Sequence, residues 1–404
     1  MTSYSIDTPD AGRVTYTDHK RGWWMLSLAN PLIPLVGIVG HWLTGSQLWL
    51  LVPLAMMFIM GPALDWLFGE DENNPPEALV PQLEQDAYYR VLTYLTVPLH
   101  YFTFLAVAIW VGTQGLSWWA FVGLTIAAGF ADGFAINTGH ELGHKRTKVE
   151  TWLAKIVLAV PAYGHFWIEH NRGHHRDVAT PDDPASARMG ESIYRFARRE
   201  IPGAFDRAWM LEHERLCRKG IPVWSLQNEV LQSYIITAVL QVGLIAAFGW
   251  IMLPFLLIHN VFAWWVLTSA NYIEHYGLLR DKQPDGKYER CQPHHSWNAN
   301  HKYSNLLLFH LQRHSDHHAN PTRRYQSLRH FPDLPSLPIG YYGMYVVAYI
   351  PALWYKIMDA RLLALPHIQG DLNKINIDPI KREAIYARYE QASFEDASSE
   401  ASHV

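Results

Sequence analysis

The chain has 404 residues, of which 49% are hydrophobic and only 17% charged, and its formal net charge is −4. A charge this close to neutral gives no indication of nucleic-acid binding. The two cysteines, Cys217 and Cys291, form no CxxC pair, so the sequence supports neither a disulfide framework nor a cysteine-ligated metal cluster.

The apolar residues are concentrated in runs long enough to cross a bilayer. A hydrocarbon layer of about 30 Å needs roughly 20 apolar residues in a helix. Six such runs occur, near residues 23–43, 47–68, 90–111, 117–139, 228–250 and 252–275. A shorter amphipathic stretch at 151–164 predicts a helix along the membrane interface, and a run at 341–358 that contains Pro351 favours surface packing over a seventh span.

Lys and Arg residues predict how these spans are oriented. The links at 44–46, 112–116 and 249–251 carry no charge, whereas basic groups follow the opposite ends of the spans. Because basic residues are retained on the cytoplasmic side, we expect a multi-pass protein of the inner (cytoplasmic) membrane with both termini in the cytoplasm.

Nine histidines form four groups at the predicted cytoplasmic ends of spans or in the segments beyond them. Residues three or four apart lie on one face of a helix and can direct two imidazoles to one ion. A lone histidine is more simply read as a hydrogen-bonded polar residue, but three clusters in one chain indicate metal binding. A catalytic ion usually takes three protein ligands, so nine imidazoles indicate two ions. The predicted ligands are His140, His144, His170, His174, His175, His275, His314, His317 and His318.

The predicted fold is therefore all-α: an integral-membrane six-helix bundle with a cytoplasmic, histidine-rich cap that holds a dinuclear metal site. The predicted order is a cytoplasmic N-terminal segment (1–21), spans 1–4 (22–139), a cytoplasmic segment with two histidine clusters (140–227), spans 5–6 (228–275), a cytoplasmic cap with the third cluster (276–390), and a disordered tail or linker (391–404).

Acidic side chains accompany the histidines. Glu141, Glu169, Glu274 and Asp316 lie within two residues of a predicted ligand, where carboxylates commonly orient an imidazole. A carboxylate that bridges two metals, and simple solvation, stay open as alternatives. Asp132 lies about two helical turns before His140, and a carboxylate at that depth is costly unless paired. We expect it to line a polar tip of the cavity or to reach a partner behind the ligands.

Four further histidines flank the third cluster without a helical pairing. They are His294, His295, His301 and His310. We expect supporting or structural roles for them, and ligation by one of them stays open.

The chain resembles the integral-membrane, non-haem di-iron alkane 1-monooxygenases. The matching motifs are HELGHK at 140–145, EHNRGHH at 169–175, NYIEHYG at 271–277 and LQRHSDHHA at 311–319, and the six-span layout agrees along nearly the full length. HxxxH and HxxHH alone are shared with fatty-acid desaturases and related hydroxylases. Their middle group is normally HxxHH, so the HxxxHH found here favours the alkane branch.

The resemblance implies that the nine histidines bind two iron ions and that O₂ and two electrons convert the terminal methyl of a medium-chain alkane to a primary alcohol. It also implies electron delivery by rubredoxin, which a flavoprotein rubredoxin reductase reduces. Because the chain has no CxxC pair, rubredoxin is expected as a separate protein or a fused domain outside this sequence. Rubredoxins are acidic, so we expect a basic docking face that includes Arg198, Arg199, Arg323 and Arg324. Retention of basic residues in the cytoplasm explains these arginines equally well.

Three other functions compete with this hypothesis. HELGH also fits the HExxH motif of zinc proteases, but that function leaves seven histidines unexplained. A metal transporter is expected to hold its site near the bilayer midplane, whereas these histidines gather at one face. A membrane fatty-acid desaturase or fatty-acyl hydroxylase shares the metals and the layout, and is the main alternative.

Overall fold

A computed structural model of the chain describes residues 2–389, so the predicted tail at 391–404 lies outside the described residues. Helices dominate, as predicted. The helices are α1 (Ile33–Thr44), α2 (Val52–Ala55), α3 (Gly61–Phe68), α4 (Val80–Gln85), α5 (Ala87–Thr113), α6 (Trp118–Gly143), α7 (Lys148–Ala159), α8 (Phe166–Glu169), α9 (His175–Asp177), α10 (Ile193–Arg218), α11 (Glu229–Phe248), α12 (Met252–His275), α13 (Lys302–Leu307), α14 (His314–Ala319), α15 (Tyr341–Ala348) and α16 (Pro351–Leu363).

The N-terminal β-hairpin is not among the predicted elements. Strands β1 (Thr2–Thr8) and β2 (Gly12–Asp18) pair antiparallel, with Tyr4 opposite Tyr16. Side chains alternate across a strand, so both tyrosines lie on one face, where they pack against Leu79 and Leu83. The hairpin thereby covers the link between α3 and α5.

Five helical segments are long and apolar enough to cross a membrane: Arg21–Thr44, Gln47–Phe68, Ala87–Thr113, Trp118–Gly143 and Glu229–His275. The first two include short 3-10 and π turns as well as α-helix. Apolar side chains are exposed on their outer faces, including Val239 at 72% and Trp118 and Trp250 at 78% each. Exposed apolar surface of this extent is typical of helices in contact with lipid.

The longest of these segments is a hairpin of two helices. Gln241 and Asn260 form a reciprocal amide pair, with N–O distances of 3.3 and 3.4 Å. Nineteen residues would separate them by about 28 Å in a continuous helix, so α11 and α12 must run back on each other. Gly249, at φ +77°, provides the turn.

The links between the helices gather at two opposite ends of the bundle. At one end, Gln47 accepts hydrogen bonds from Ser117 and donates to the carbonyl of Gly115. At the other, the 69–86 link bonds to the 300–330 segment, for example through Asp71 and Arg313 at 2.8 Å. The uncharged links and the histidine-rich segments therefore lie at opposite ends, as predicted; which end faces the cytoplasm stays a prediction, as do the domain boundaries.

Two shorter predictions concern helices beside the bundle. The 151–164 stretch forms α7, which packs on α6 and buries Ala154, Val157 and Leu158. The 341–358 run forms α15 and α16, which break at Ile350 and Pro351. Neither α15 nor α16 has the length of a span. The helix α15 is largely buried against α12 and the α2–α3 segment rather than lying on the surface.

Candidate metal centre

The nine predicted histidines meet at the end of the bundle where the histidine-rich segments lie, and they form two adjoining groups. Within each group, one ring nitrogen from every residue lies within 4.8 Å of the others. The larger group has five members and the smaller has four. The larger group is His140, His144, His170, His175 and His317, and the smaller group is His174, His275, His314 and His318.

The ring nitrogens are spaced as ligands of a common ion would be. In the larger group the Nε2 atoms of His140 and His317 are 2.9 Å apart, and those of His144 and His170 are 3.0 Å apart. In the smaller group, Nε2 of His314 is 3.2 Å from that of His275. Two nitrogens that each lie about 2.1 Å from one ion, at a right angle to each other, are about 3.0 Å apart. The geometry therefore fits one ion in each group.

Local helix geometry decides which group each histidine enters. His140 and His144 are four apart on α6 and share a group, as predicted, and so do His314 and His318 on α14. His170 and His174 do not share one. A π turn spans His170–His174, and its longer repeat brings His170 and His175 together instead.

Both groups suit metal ions in their protonation as well as their spacing. Burial lowers the pKa of His170, His317 and His318 well below the usual value, so these imidazoles are neutral, which is the form that binds metal. His174 is 1% exposed, and its Nε2 has no hydrogen-bond partner among the described residues. An ion in the smaller group would satisfy that orphaned atom.

Asp183, which the sequence analysis missed, orients His174. Its Oδ2 lies 3.0 Å from Nδ1 of His174, leaving Nε2 to face the other imidazoles. Burial acts to raise the pKa of Asp183, but His174 and Arg207 hold it below the ordinary value. Glu169, which was predicted to orient an imidazole because it lies next to His170 in the sequence, pairs with Arg207, and Arg207 also contacts Asp183.

The other predicted carboxylates differ in their relation to the ligands. Glu274 Oε2 lies 3.4 Å from Nε2 of His314, and Oε1 has no partner among the described residues. Glu274 is therefore placed to contact an ion. Asp316 accepts hydrogen bonds from Arg323 and from the backbone of Arg329, so it fixes the loop after α14 rather than an imidazole.

Glu141, the glutamate of the HELGH motif, turns away from the histidines. Its Oε1 pairs with Lys145 at 3.0 Å and accepts a longer contact from the backbone N–H of Tyr325. A zinc protease needs this carboxylate beside the metal to activate water. The observed pairing therefore argues against the protease hypothesis.

Asp132 lies inside the bundle and joins three helices. Its two carboxylate oxygens are each 2.8 Å from a histidine nitrogen, one of His100 on α5 and one of His259 on α12. Asp132 is therefore paired, but neither partner belongs to the nine histidines, and a role for it behind the metal ligands stays a prediction. His259 extends the polar chain to Asn260 and Gln241.

A narrow cavity of about 30 Å³ opens on the histidines from within the bundle. His140, His170 and His314 form its metal-facing wall. The rest of its lining is mainly apolar, apart from two amides, the carboxyl group of Glu274 and Tyr345, and includes Phe134, Ile136, Asn137, Phe166, Val266, Leu267, Asn271, Leu308 and Leu311. A molecule inside this cavity would have apolar walls around it and the histidine groups at one end.

Comparisons with known proteins identify the family. The fatty acid desaturase family model matches residues 116–349. The chain is 57% identical to Alkane 1-monooxygenase 1 of Alcanivorax borkumensis, over 93% of this chain and 92% of that protein. It is 56% identical to Alkane 1-monooxygenase of Ectopseudomonas oleovorans, over 95% of each chain. The chain belongs to the alkane 1-monooxygenase family.

Membership of this family makes the four predicted docking arginines of interest. Arg198 is exposed on α10. Arg199 pairs with Glu191, Arg323 pairs with Asp316 and Glu77, and Arg324 pairs with Glu150. The charges of those three are largely compensated within the chain, whereas Arg198 has no ion-pair partner among the described residues.

The four additional histidines lie outside both groups. His295 Nδ1 accepts a hydrogen bond from the backbone of Gln292 at 2.9 Å, so its proton is on Nε2, toward Glu289 at 3.4 Å. Such an imidazole has no free lone pair for a metal. His310 contacts the carbonyl of Tyr325 and the amine of Lys20, and His301 lies at the start of α13. The contacts of His295 and His310 are therefore structural, whereas the roles of His294 and His301 stay a prediction.

Proposed function

We propose that the protein hydroxylates the terminal carbon of medium-chain n-alkanes, using O₂ and two electrons from rubredoxin, at a di-iron centre held by the nine histidines. The observation that carries the proposal is the pair of histidine groups at the end of a mainly apolar cavity. Imidazole binds several transition metals, so the spacing of the histidines does not identify the metal. The choice of iron rests on the resemblance to the family. When bound, iron would supply the chemistry that oxidises an unactivated C–H bond, which no side chain can perform.

The chain's own residues would position the substrate and exclude water. Phe134, Ile136, Val266 and Leu308 give the cavity apolar walls, which favour a hydrocarbon over a polar molecule because burial of apolar surface releases water. The metal-facing wall, with His140, sets the place where the chain end of the substrate stops. Selectivity for the terminal carbon then depends on orientation in the cavity.

The experiment offers octane and a fatty-acyl substrate in parallel to the purified, iron-loaded protein with rubredoxin, its reductase and O₂. The proposal expects 1-octanol as the main product and little change in the acyl chain. The main alternative, a desaturase or fatty-acyl hydroxylase, predicts the reverse, and that result would overturn the proposal.

The same assay addresses the electron donor. If the acidic rubredoxin docks at Arg198, the Arg198→Glu variant and added salt should both slow the reaction at limiting rubredoxin, because both weaken charge attraction. Arg218, which is exposed at the end of the same helix, provides a charge-reversal control. Equal rates in all conditions would exclude docking at this position.

A further inference from the structure

The proposed reaction consumes protons at a buried site, and this inference rests on that proposed function. One alkane, one O₂, two electrons and two protons give one alcohol and one water. The nine histidines are largely enclosed by protein, and an imidazole that binds metal through one nitrogen is not a free proton donor. The protons must therefore reach the cavity through other side chains.

Glu200 on α10 is a buried carboxyl group beside the cavity. It is 1% exposed. Its oxygens accept hydrogen bonds from the hydroxyl of Thr268 at 2.7 Å and from the side-chain amide of Asn271 at 3.2 Å. Asn271 itself lines the cavity, so a single side chain separates Glu200 from the space next to the histidines.

The surroundings of Glu200 keep part of this carboxyl group protonated near neutral pH. Burial raises the pKa of this carboxyl to about 7; the bond from Thr268 opposes the increase, and the negative charge of Glu169 adds to it. The bond from Asn271 and the positive charge of Arg199 act to lower it. No cation among the described residues forms an ion pair with Glu200, unlike Glu169, which pairs with Arg207.

Near Glu200, a set of buried polar atoms lacks protein partners; burial raises the pKa of Tyr163, one of this set, and the negative charge of Glu200 adds to that increase. The hydroxyl of Tyr163, Nε2 of His165 and the hydroxyl of Ser233 have no hydrogen-bond partner among the described residues. They lie around Gly164, whose position for a Cβ is 2.9 Å from the Ser233 hydroxyl. Buried polar atoms are normally hydrogen-bonded, and a polar pocket with several such atoms suits internal water.

The same pocket leads to the surface. His165 Nδ1 is 2.8 Å from the hydroxyl of Tyr234, and Tyr234 lines a surface groove with Asp206 and His213. Burial lowers the pKa of His165 to about 3. Its imidazole is therefore neutral and can accept a proton at one nitrogen while releasing one from the other.

We propose that Glu200 delivers protons to the cavity and is reprotonated from the groove through Tyr234, His165 and Tyr163. In each transfer, the carboxyl group of Glu200 releases its proton past Asn271 to the oxygen atom that leaves as water. The resulting carboxylate then takes up a new proton from the Tyr163 side. Two such transfers supply the two protons of one turnover. No electrons move along this route.

The test compares the iron-loaded Glu200→Gln variant with wild type. The variant keeps the shape and the hydrogen-bond acceptor but has no acidic proton. We expect unchanged metal content and thermal stability, a loss of turnover of about tenfold or more, and more electrons consumed per alcohol formed. Glu200→Asp should recover part of the rate. Glu214→Gln, an exposed change on the same helix, should have no effect.

Two readouts separate proton delivery from a structural role. Infrared difference spectra between wild type and Glu200→Gln, recorded without turnover, should show a protonated carboxyl band that titrates near pH 7. In wild type the rate should fall as pH rises through the pKa of Glu200. Thr268→Val removes a bond that lowers this pKa, so it should move the fall to higher pH.

The outcomes distinguish this inference from the proposed function. If wild type hydroxylates octane and Glu200→Gln does so at the same rate with the same pH profile, proton delivery by Glu200 is wrong while the function stands. Absence of the carboxyl band near pH 7 would overturn it in the same way. If wild type does not hydroxylate octane, the proposed function itself fails.

Discussion

At the level of single residues, the two histidine doublets explain how nine imidazoles divide between two groups. His174 and His175 are neighbours, as are His317 and His318, and in each doublet one residue enters the larger group and the other the smaller. Adjacent residues on a helix point about 100° apart, so a doublet placed between two ions can serve both.

Residue spacing predicts the histidine ligands but not the charged side chains that orient them. All nine are recognisable because each motif is local in sequence. Asp183 lies nine residues after His174, and Arg207 lies 38 residues after Glu169. Nothing in the sequence distinguishes Asp183 and Arg207 from the many other charged residues, because Arg207 reaches this site only through the packing of α10 against α8.

The contact between Asp183 and His174 leads to a prediction for metal affinity. Asp183→Asn should weaken retention of the ion in the smaller group roughly 10- to 100-fold, because the imidazole loses the partner that fixes its tautomer. Metal retained during dialysis against a chelator measures this effect. Asp182→Asn, at the exposed neighbouring position, is the matched control. Equal retention in the two variants would show that Asp183 does not support the site.

At the level of elements, α6 and α12 form the most extensive helix–helix contact among the described residues. A Cβ at Gly129 would lie 2.5 Å from the backbone oxygen of His259, and one at Gly133 would lie 2.4 Å from Val266. Small residues let helices approach in this way. The approach brings Asp132 within reach of His259 and places His140 and His275 at the same end of the bundle.

Helix packing gives a second prediction. Gly129→Ala should lower the melting temperature in detergent, because overpacking typically costs about 1–3 kcal/mol, more than the roughly 1 kcal/mol that alanine contributes to helix propensity. Gly243→Ala on α11, where a Cβ meets nothing within 4 Å, should leave the melting temperature unchanged or raise it. A Gly129→Ala protein as stable as Gly243→Ala would contradict the described packing.

The helices of the bundle were predictable to within a few residues, while smaller elements were not. Runs of about 20 apolar residues leave few alternatives to a membrane helix. The N-terminal hairpin was missed although alternation in Ser3-Tyr4-Ser5-Ile6 and the turn at Gly12 were available signals. The π turn at His170–His174 has no such signal, because it depends on what the histidines face.

At the level of the whole molecule, the chain places charge at one end and apolar surface along its length. The N-terminal segment, the 69–86 link and the histidine-rich segments bond to one another, for example through Lys20, Asp71 and Arg313. Arg313 directly precedes His314, so this network ties the start of the chain to the third histidine motif. The metal-binding end is therefore built from segments far apart in sequence.

The sequence predicts this arrangement better than it predicts the docking surface. Positive residues near the ends of spans indicate topology, but their positions in the sequence do not show which carboxylates they pair with. Three of the four arginines chosen for docking are paired with carboxylates of the chain itself. Only the folded structure distinguishes a compensated arginine from Arg198.

Metal content per purified chain distinguishes a dinuclear centre from a single metal ion. The measurement compares wild type with His317→Ala from the larger group, His314→Ala from the smaller group, and the exposed His213→Ala as control. The account predicts about two iron ions in wild type and in His213→Ala, and a clear loss in each of the other two variants. A single ion in wild type, such as one zinc, that neither His314→Ala nor His317→Ala removes would contradict a dinuclear centre built from these nine histidines.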